Sequence, residues 1–157
     1  ATWLQRPEVS ATLTSMNCLN NPLGEGVHTI IKVFEETPRL RTLCGLEEGV
    51  EHVDWSNSEK GPADVALLAA DLKAGRAGAA LNSVTVDSTG DKKRNPKTYT
   101  LTAGEDKIDL SNKSLGPADI NLICAWLATP AGAAVTSINC MHNPLGEGLQ
   151  VITKVLL

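Results

Sequence analysis

The chain has 157 residues, 42% of them apolar and only 3% aromatic, which is about one domain's length with side chains enough for a core but few large rings. Many small and medium aliphatics suit thin stacked layers. A formal net charge of −4 argues against a general nucleic-acid footprint, and the lack of any run of about 18 apolar residues argues against a membrane span.

Ala1-Thr-Trp-Leu-Gln-Arg-Pro7 resembles Cys124-Ala-Trp-Leu-Ala-Thr-Pro130, so the chain is read as entering in the last turn of a helix that Pro7 ends. The first strand is Thr14–Cys18, with Met16 and Cys18 on one face and Asn17 on the other. Asn21 then turns the chain, and Gly24 and Gly26 flank the entry to a helix over roughly 25–36. Its Val27, Ile30, Ile31 and Phe34 follow the i, i+3, i+4, i+7 spacing of an apolar face. Pro38 marks its end, and Leu40, Leu43 and Leu46 form a short extended insertion.

Val50, Val53 and Trp55 carry the second strand, with Trp55 on the inward pleat. Gly61-Pro-Ala-Asp64 opens a helix over 63–74 that buries Val65, Leu68, Ala69 and Leu72. Proline at the first helical position lacks only an amide that would be unpaired anyway, and Asp64 sits where the helix dipole favours negative charge. Leu81, Val84 and Val86 form the third strand, followed by a polar loop that holds the basic cluster Lys92, Lys93, Arg94 and Lys97. That cluster reads as a solvated loop, with a contact to an acidic partner as the alternative. Thr98–Leu101 is a short extended piece before the fourth strand, Ile108 and Leu110. Gly116-Pro-Ala-Asp119 opens a helix over 118–128 burying Ile120, Ile123, Cys124 and Leu127. The fifth strand is Val135–Cys140, and a last helix begins near Glu147 with Val151, Val155 and Leu156 on its apolar face.

The stretch Leu13-Thr-Ser-Met-Asn-Cys-Leu-Asn-Asn-Pro-Leu-Gly-Glu-Gly26 returns as Val135-Thr-Ser-Ile-Asn-Cys-Met-His-Asn-Pro-Leu-Gly-Glu-Gly148, an offset of 122 residues between Cys18 and Cys140. Successive strands are 24 to 37 residues apart, counted between Met16, Val53, Val84, Ile108 and Ile138. Leu13, Met16, Cys18, Asn21 and Leu23 fall on an L-x-x-L-x-L-x-x-N-x-L spacing. The segments 50–64 and 105–119 follow it less closely, with Ser58 and Lys113 in place of the asparagine and Glu105 in place of the first leucine.

On these residues the chain resembles the leucine-rich-repeat family, and within it the ribonuclease-inhibitor-like subtype. The resemblance implies an α/β fold, a leucine-rich-repeat solenoid (horseshoe) with short parallel strands on the concave face and helices on the convex face. It implies one domain of about five units over 1–157, a piece of a longer repeat array, whose uncapped ends would stack on further repeats or on neighbouring copies. The family is defined by shape rather than by one activity. The expected role is therefore a non-catalytic scaffold or structural repeat protein that binds a protein partner through the strand face or by end-to-end stacking. A regulatory protein, such as a small-GTPase activator or a piece of an innate-immune sensor, is the alternative.

The outward strand positions Asn17, Asp54, Thr85, Asp109 and Asn139 would line up about 4.8 Å apart as a polar ladder, widened by Ser15, His52, Ser83, Lys107 and Ser137. The partner-binding residues are accordingly Asn17, Asp54, Thr85, Asp109, Asn139, His52 and Lys107, unless the face is simply a solvated sheet surface. Asp54 and Asp109, about 10 Å apart in such a ladder, lack the nucleophile and donor set that a catalytic pair needs. His28, His52 and His142 belong to different units and have no ligand spacing, so no metal is expected. Leu-Gly-Glu-Gly and Gly-Pro-Ala-Asp lack the order of a phosphate loop, so no cofactor is expected either. Cys18, Cys44, Cys124 and Cys140 show no C-x-x-C spacing and read as reduced structural thiols, which points to an intracellular, cytoplasmic setting.

Overall fold

The two Gly-Pro-Ala-Asp stretches start helices in the same way in the computed structural model, which describes residues 3, 5–10, 12–91 and 95–150. Pro62 and Pro117 take the first helical positions, and Asp64 and Asp119 fold back to accept the N–H of Gly61 (3.0 Å) and of Gly116 (2.8 Å). These begin α3 (Pro62–Ala74) and α4 (Pro117–Leu127), which follow α1 (Pro7–Ser10) and α2 (Gly26–Glu35). α3 stops at Gly75, whose φ of 60° is the left-handed geometry that closes a helix. α3 packs along α4, and Leu67, Leu68, Ile123 and Trp126 are fully buried between and behind them. Val65, Leu68, Ala69 and Leu72 face inward as their spacing requires, whereas Leu127 is only half-buried.

The strands are short: β1 (His52–Trp55), β2 (Ser83–Asp87), β3 (Thr98–Thr102), β4 (Lys107–Asp109) and β5 (Ser137–Asn139). β1 and β2 pair in parallel with Val53 opposite Val84, and β4 and β5 pair in parallel with Ile108 opposite Ile138. β3 pairs antiparallel with β2, setting Leu101 opposite Val84 and Tyr99 opposite Val86.

The leucine-rich-repeat horseshoe expected from the sequence is not what forms. The structure is a small mixed α/β fold with four α-helices among the described residues and two separate sheets, of order β1-β2-β3 and β4-β5. The cause lies in residues 98–102, Thr-Tyr-Thr-Leu-Thr. Their alternation buries Tyr99 and Leu101 and exposes Thr98 and Thr100, so the segment returns as a hairpin arm on the β2 edge that β4 would need. Thr14–Cys18 also forms no strand. It makes two isolated bridges, Ser15 with Thr42 and Asn17 with Cys44, so the segment holding Leu43 is its pairing partner rather than an insertion. Met16 thus lines up in no sheet with Val53, Val84, Ile108 and Ile138.

Smaller differences follow from local chemistry. Pro7 starts α1 rather than ending a helix, and Pro130 starts a 3₁₀ turn, Pro130–Gly132, after α4 has ended. Trp55 is half-buried, with the Lys60 ammonium 5.8 Å from its ring centroid. Lys92, Lys93 and Arg94, like Val151, Val155 and Leu156, lie outside the described residues. Among the described residues no helix is long and apolar enough to cross a membrane.

The turn after β2 is held against the start of α4 by Gly90 N–H donating to Ser114 O (2.9 Å). A Cβ on Gly90 would stand 2.6 Å from the Leu115 carbonyl carbon and 2.7 Å from the Gly116 nitrogen, both backbone atoms. Gly90→Ala should therefore lower stability by about 1–3 kcal/mol, read as a lower urea midpoint at unchanged slope. Gly26→Ala, where a Cβ meets nothing within 4 Å, should not lower it.

Candidate partner-binding face

Four of the outward residues share one local structure. The Oδ1 atoms of Asn17, Asp54, Asp109 and Asn139 accept the N–H two residues on, from Leu19 (3.1 Å), Ser56 (2.9 Å), Ser111 (2.9 Å) and Met141 (3.0 Å). Each is followed three residues later by a residue with positive φ: Asn20 (60°), Asn57 (53°), Asn112 (55°) and His142 (57°). Asparagine and aspartate side chains imitate a backbone turn in this way, and asparagine tolerates the left-handed region better than most residues. Thr85 is the exception. Its hydroxyl lies 2.9 Å from that of Thr100, and the chain runs on through Val86 and Asp87.

Asn17, His52, Asp54, Lys107 and Asp109 are exposed, and Thr85 and Asn139 are half-buried. They do not form one ladder. Asp54, Thr85 and Thr100 make one row, Asp109 and Asn139 make a second, and Asn17 stands at its isolated bridge with Cys44. Lys107 is opposite Ser137, and His52 Nδ1 lies 2.8 Å from Ser83 Oγ. β2 and β3 intervene between Asp54 and Asp109, so these two carboxylates sit in different sheets. The Ser56 amide, then its hydroxyl, holds the Asp54 carboxyl below the usual aspartate range, and Ser111 does the same for Asp109 with help from Lys113.

Where the sheets part, β3 and β4 leave a groove of about 290 Å³ lined by Thr98, Thr100, Glu105, Lys107, Asp109 and Lys113. Among the described residues each strand keeps one edge without a strand partner, and side chains reach across: Lys113 Nζ donates to Thr98 O (3.4 Å) and Lys97 Nζ to Asn112 O (2.6 Å). A second hollow of about 310 Å³ lies between the C-terminal ends of α3 and α4. It is lined by Leu72, Leu81, Pro130 and Trp126, whose buried indole N–H has no acceptor among the described residues, and it holds none of the outward strand residues.

A set of buried acids ties neighbouring segments together. Asp71 accepts from the Thr42 hydroxyl (2.6 Å) and the Leu43 and Cys44 amides (2.8 and 3.3 Å). Asp87 accepts from the Asn57 amide (2.7 Å) and the Thr98 hydroxyl (2.8 Å). Asp119, besides the Gly116 amide, accepts from the Thr89 amide and hydroxyl and the Tyr99 phenol, each at 2.8 Å. A charged residue on an otherwise apolar helix face, as Asp71 is among Leu68, Ala69 and Leu72, was the available signal. Burial, and then the facing carboxylate, pushes the Tyr99 phenol and the Cys44 thiol well up. Cys18, Cys124 and Cys140 are also raised, chiefly by burial, and all four cysteines are free thiols. Among the described residues no three His, Cys, Asp or Glu side chains gather as a metal ion would need.

No family model, no curated protein and no solved structure matches the chain.

Asp54 and Asp109 should titrate below the ordinary aspartate range and Asp71 above it, since burial outweighs the hydrogen bonds that oppose it at Asp71. The stability that depressed Asp54 and Asp109 contribute is present above the unfolded value and lost as pH falls through their folded values. The Asp71 contribution has the opposite sign: full below the unfolded value and lost as pH rises through the folded one. Carboxyl carbon NMR against pH measures all three, and equal midpoints would contradict this assignment.

Proposed function

We propose that this chain is a protein-binding module that performs no chemistry of its own and takes its partner on the exposed strand face. The observation that carries this reading is the groove between β3 and β4. It offers unpaired strand edges on both sides and side chains of both charges, Glu105 and Asp109 beside Lys107 and Lys113. Those are the groups an extended protein segment uses when it adds to a sheet: backbone donors and acceptors for affinity, alternate side chains for selectivity. Asp54, Thr85 and His52 extend the polar surface along the neighbouring sheet. The four free thiols, all raised by burial, suit a reducing compartment, and the module is assigned to the cell interior on that basis.

The test is affinity capture with the full chain, quantified by mass spectrometry. Thr100→Pro removes an edge donor, and Asp54→Lys with Asp109→Lys inverts charge on the face. Each should cut recovery of a specific partner about tenfold, the effect of about 1.4 kcal/mol, while Lys32→Glu on the exposed side of α2 leaves it unchanged. Equal recovery by all variants would sink the strand-face reading.

A further inference from the structure

At four successive junctions, an oxygen on the later segment accepts a loop N–H from the earlier one. Asp64 takes the Asn20 N–H (2.8 Å), Asp87 the Asn57 N–H (2.7 Å) and Asp119 the Thr89 N–H (2.8 Å). At the fourth, Asn143 Oδ1 accepts from Lys113 and Leu115 (both 3.0 Å), while Asn143 Nδ2 donates to Leu110 O (2.8 Å). Gly148 completes that junction by bringing its backbone against α4, where a Cβ would lie 3.0 Å from Ile120 Cβ. The run Asn-Pro-Leu-Gly-Glu-Gly at 143–148 is thus a docking device, and residues 107–120 are what it docks on.

The same six residues stand at 21–26. There Asn21 Nδ2 donates only within its own turn, to Cys18 O (3.1 Å) and Leu19 O (3.0 Å), and Oδ1 accepts nothing among the described residues. Asn21 and Gly26 are exposed, and a Cβ at Gly26 would meet nothing within 4 Å. Among the described residues one copy of the device is engaged and the other is open.

We propose that residues 13–26 of one chain dock on residues 107–120 of a second copy, in the place that the second copy's own 135–148 holds in the monomer. The occupant is another copy because the matching surface exists in this chain. Leu110 offers the carbonyl, Lys113 and Leu115 the amides and Ile120 the aliphatic wall, and an identical six-residue run already sits on them. Exchange replaces these contacts with their equivalents, so most of the local interaction is kept, as in other segment swaps between protomers. Each copy carries one open device and one acceptor, so the contact is head-to-tail and extends beyond a pair unless two copies reciprocate. On the docking segment the exchange uses Asn21, Leu23 and Gly26, none of which lines the strand-face groove, while Leu110 and Lys113 of the acceptor border both.

The experiment is sedimentation velocity on the full chain over a range of concentrations. Gly148→Leu drives a side chain against Ile120, loosens the internal dock and frees 107–120, so self-association should strengthen by about tenfold or more. Gly26→Leu has open space in the monomer and should leave it folded. Combined with Gly148→Leu, it should abolish the added association. Should Gly148→Leu prove unfolded by circular dichroism, Asn143→Ala replaces it and Asn21→Ala serves as the second change. Association that strengthens with the first substitution and vanishes with the second supports the exchange. No strengthening, or strengthening that survives the second substitution, overturns it.

Discussion

A side-chain oxygen accepting backbone N–H groups from another segment is the contact on which this structure depends. Its strands are three to five residues long, so the ladders satisfy few amides. The turns at Asn20, Asn57, Thr89 and Lys113 each leave an N–H facing protein rather than water. A buried amide without an acceptor costs about 1–3 kcal/mol. Asp64, Asp87, Asp119 and Asn143 meet these groups one junction at a time. Asp71 does the same for Leu43 and Cys44. Removing an acid would orphan the amides it holds, whereas the carboxylate itself sits at a desolvation cost that those amides and the neighbouring hydroxyls offset. At Asp71 burial outweighs these bonds and pushes the carboxyl above the usual aspartate range.

The same contacts decide where the surface is open. Tyr99 donates to Asp119 and Thr98 to Asp87, so β3 is anchored through its side chains as well as through β2. That anchorage keeps β3 on the β2 edge and leaves β4 to pair only with β5. The groove between them is thus a consequence of how the core acids are satisfied. Charged residues on its rim, Lys107 and Asp109, keep an otherwise unpaired edge polar, which protects such edges from indiscriminate pairing.

The outward residues carry two duties. Asn17, Asp54, Asp109 and Asn139 use one oxygen to shape the turn after the strand and present the rest of the side chain to solvent. The first duty has its sign in the sequence: Asn20, Asn57, Asn112 and His142, each three residues on. Thr85 has no such follower, and among the described residues no helix stands between β2 and β3. Their placement on an outward pleat was legible because alternation along a strand is local. Their division between two sheets was not, since that depends on which distant edge each strand finds.

Sequence alone determined the features built from neighbours in the chain. The Gly-Pro-Ala-Asp helix starts, the apolar face of α3 and the turns at strand ends all rest on bonds or spacings spanning two to four residues. The recurring Asn-Pro-Leu-Gly-Glu-Gly was equally plain. Tertiary structure alone decided that residues 98–102 fold back on β2 and break the expected parallel row, because strands of similar composition compete for one edge and only the buried partners of Tyr99 and Leu101 settle the competition. It also decided that Asn143 is engaged and Asn21 is not. Two identical motifs differ only in whether a loop with free amides lies beside them, and no local pattern encodes that.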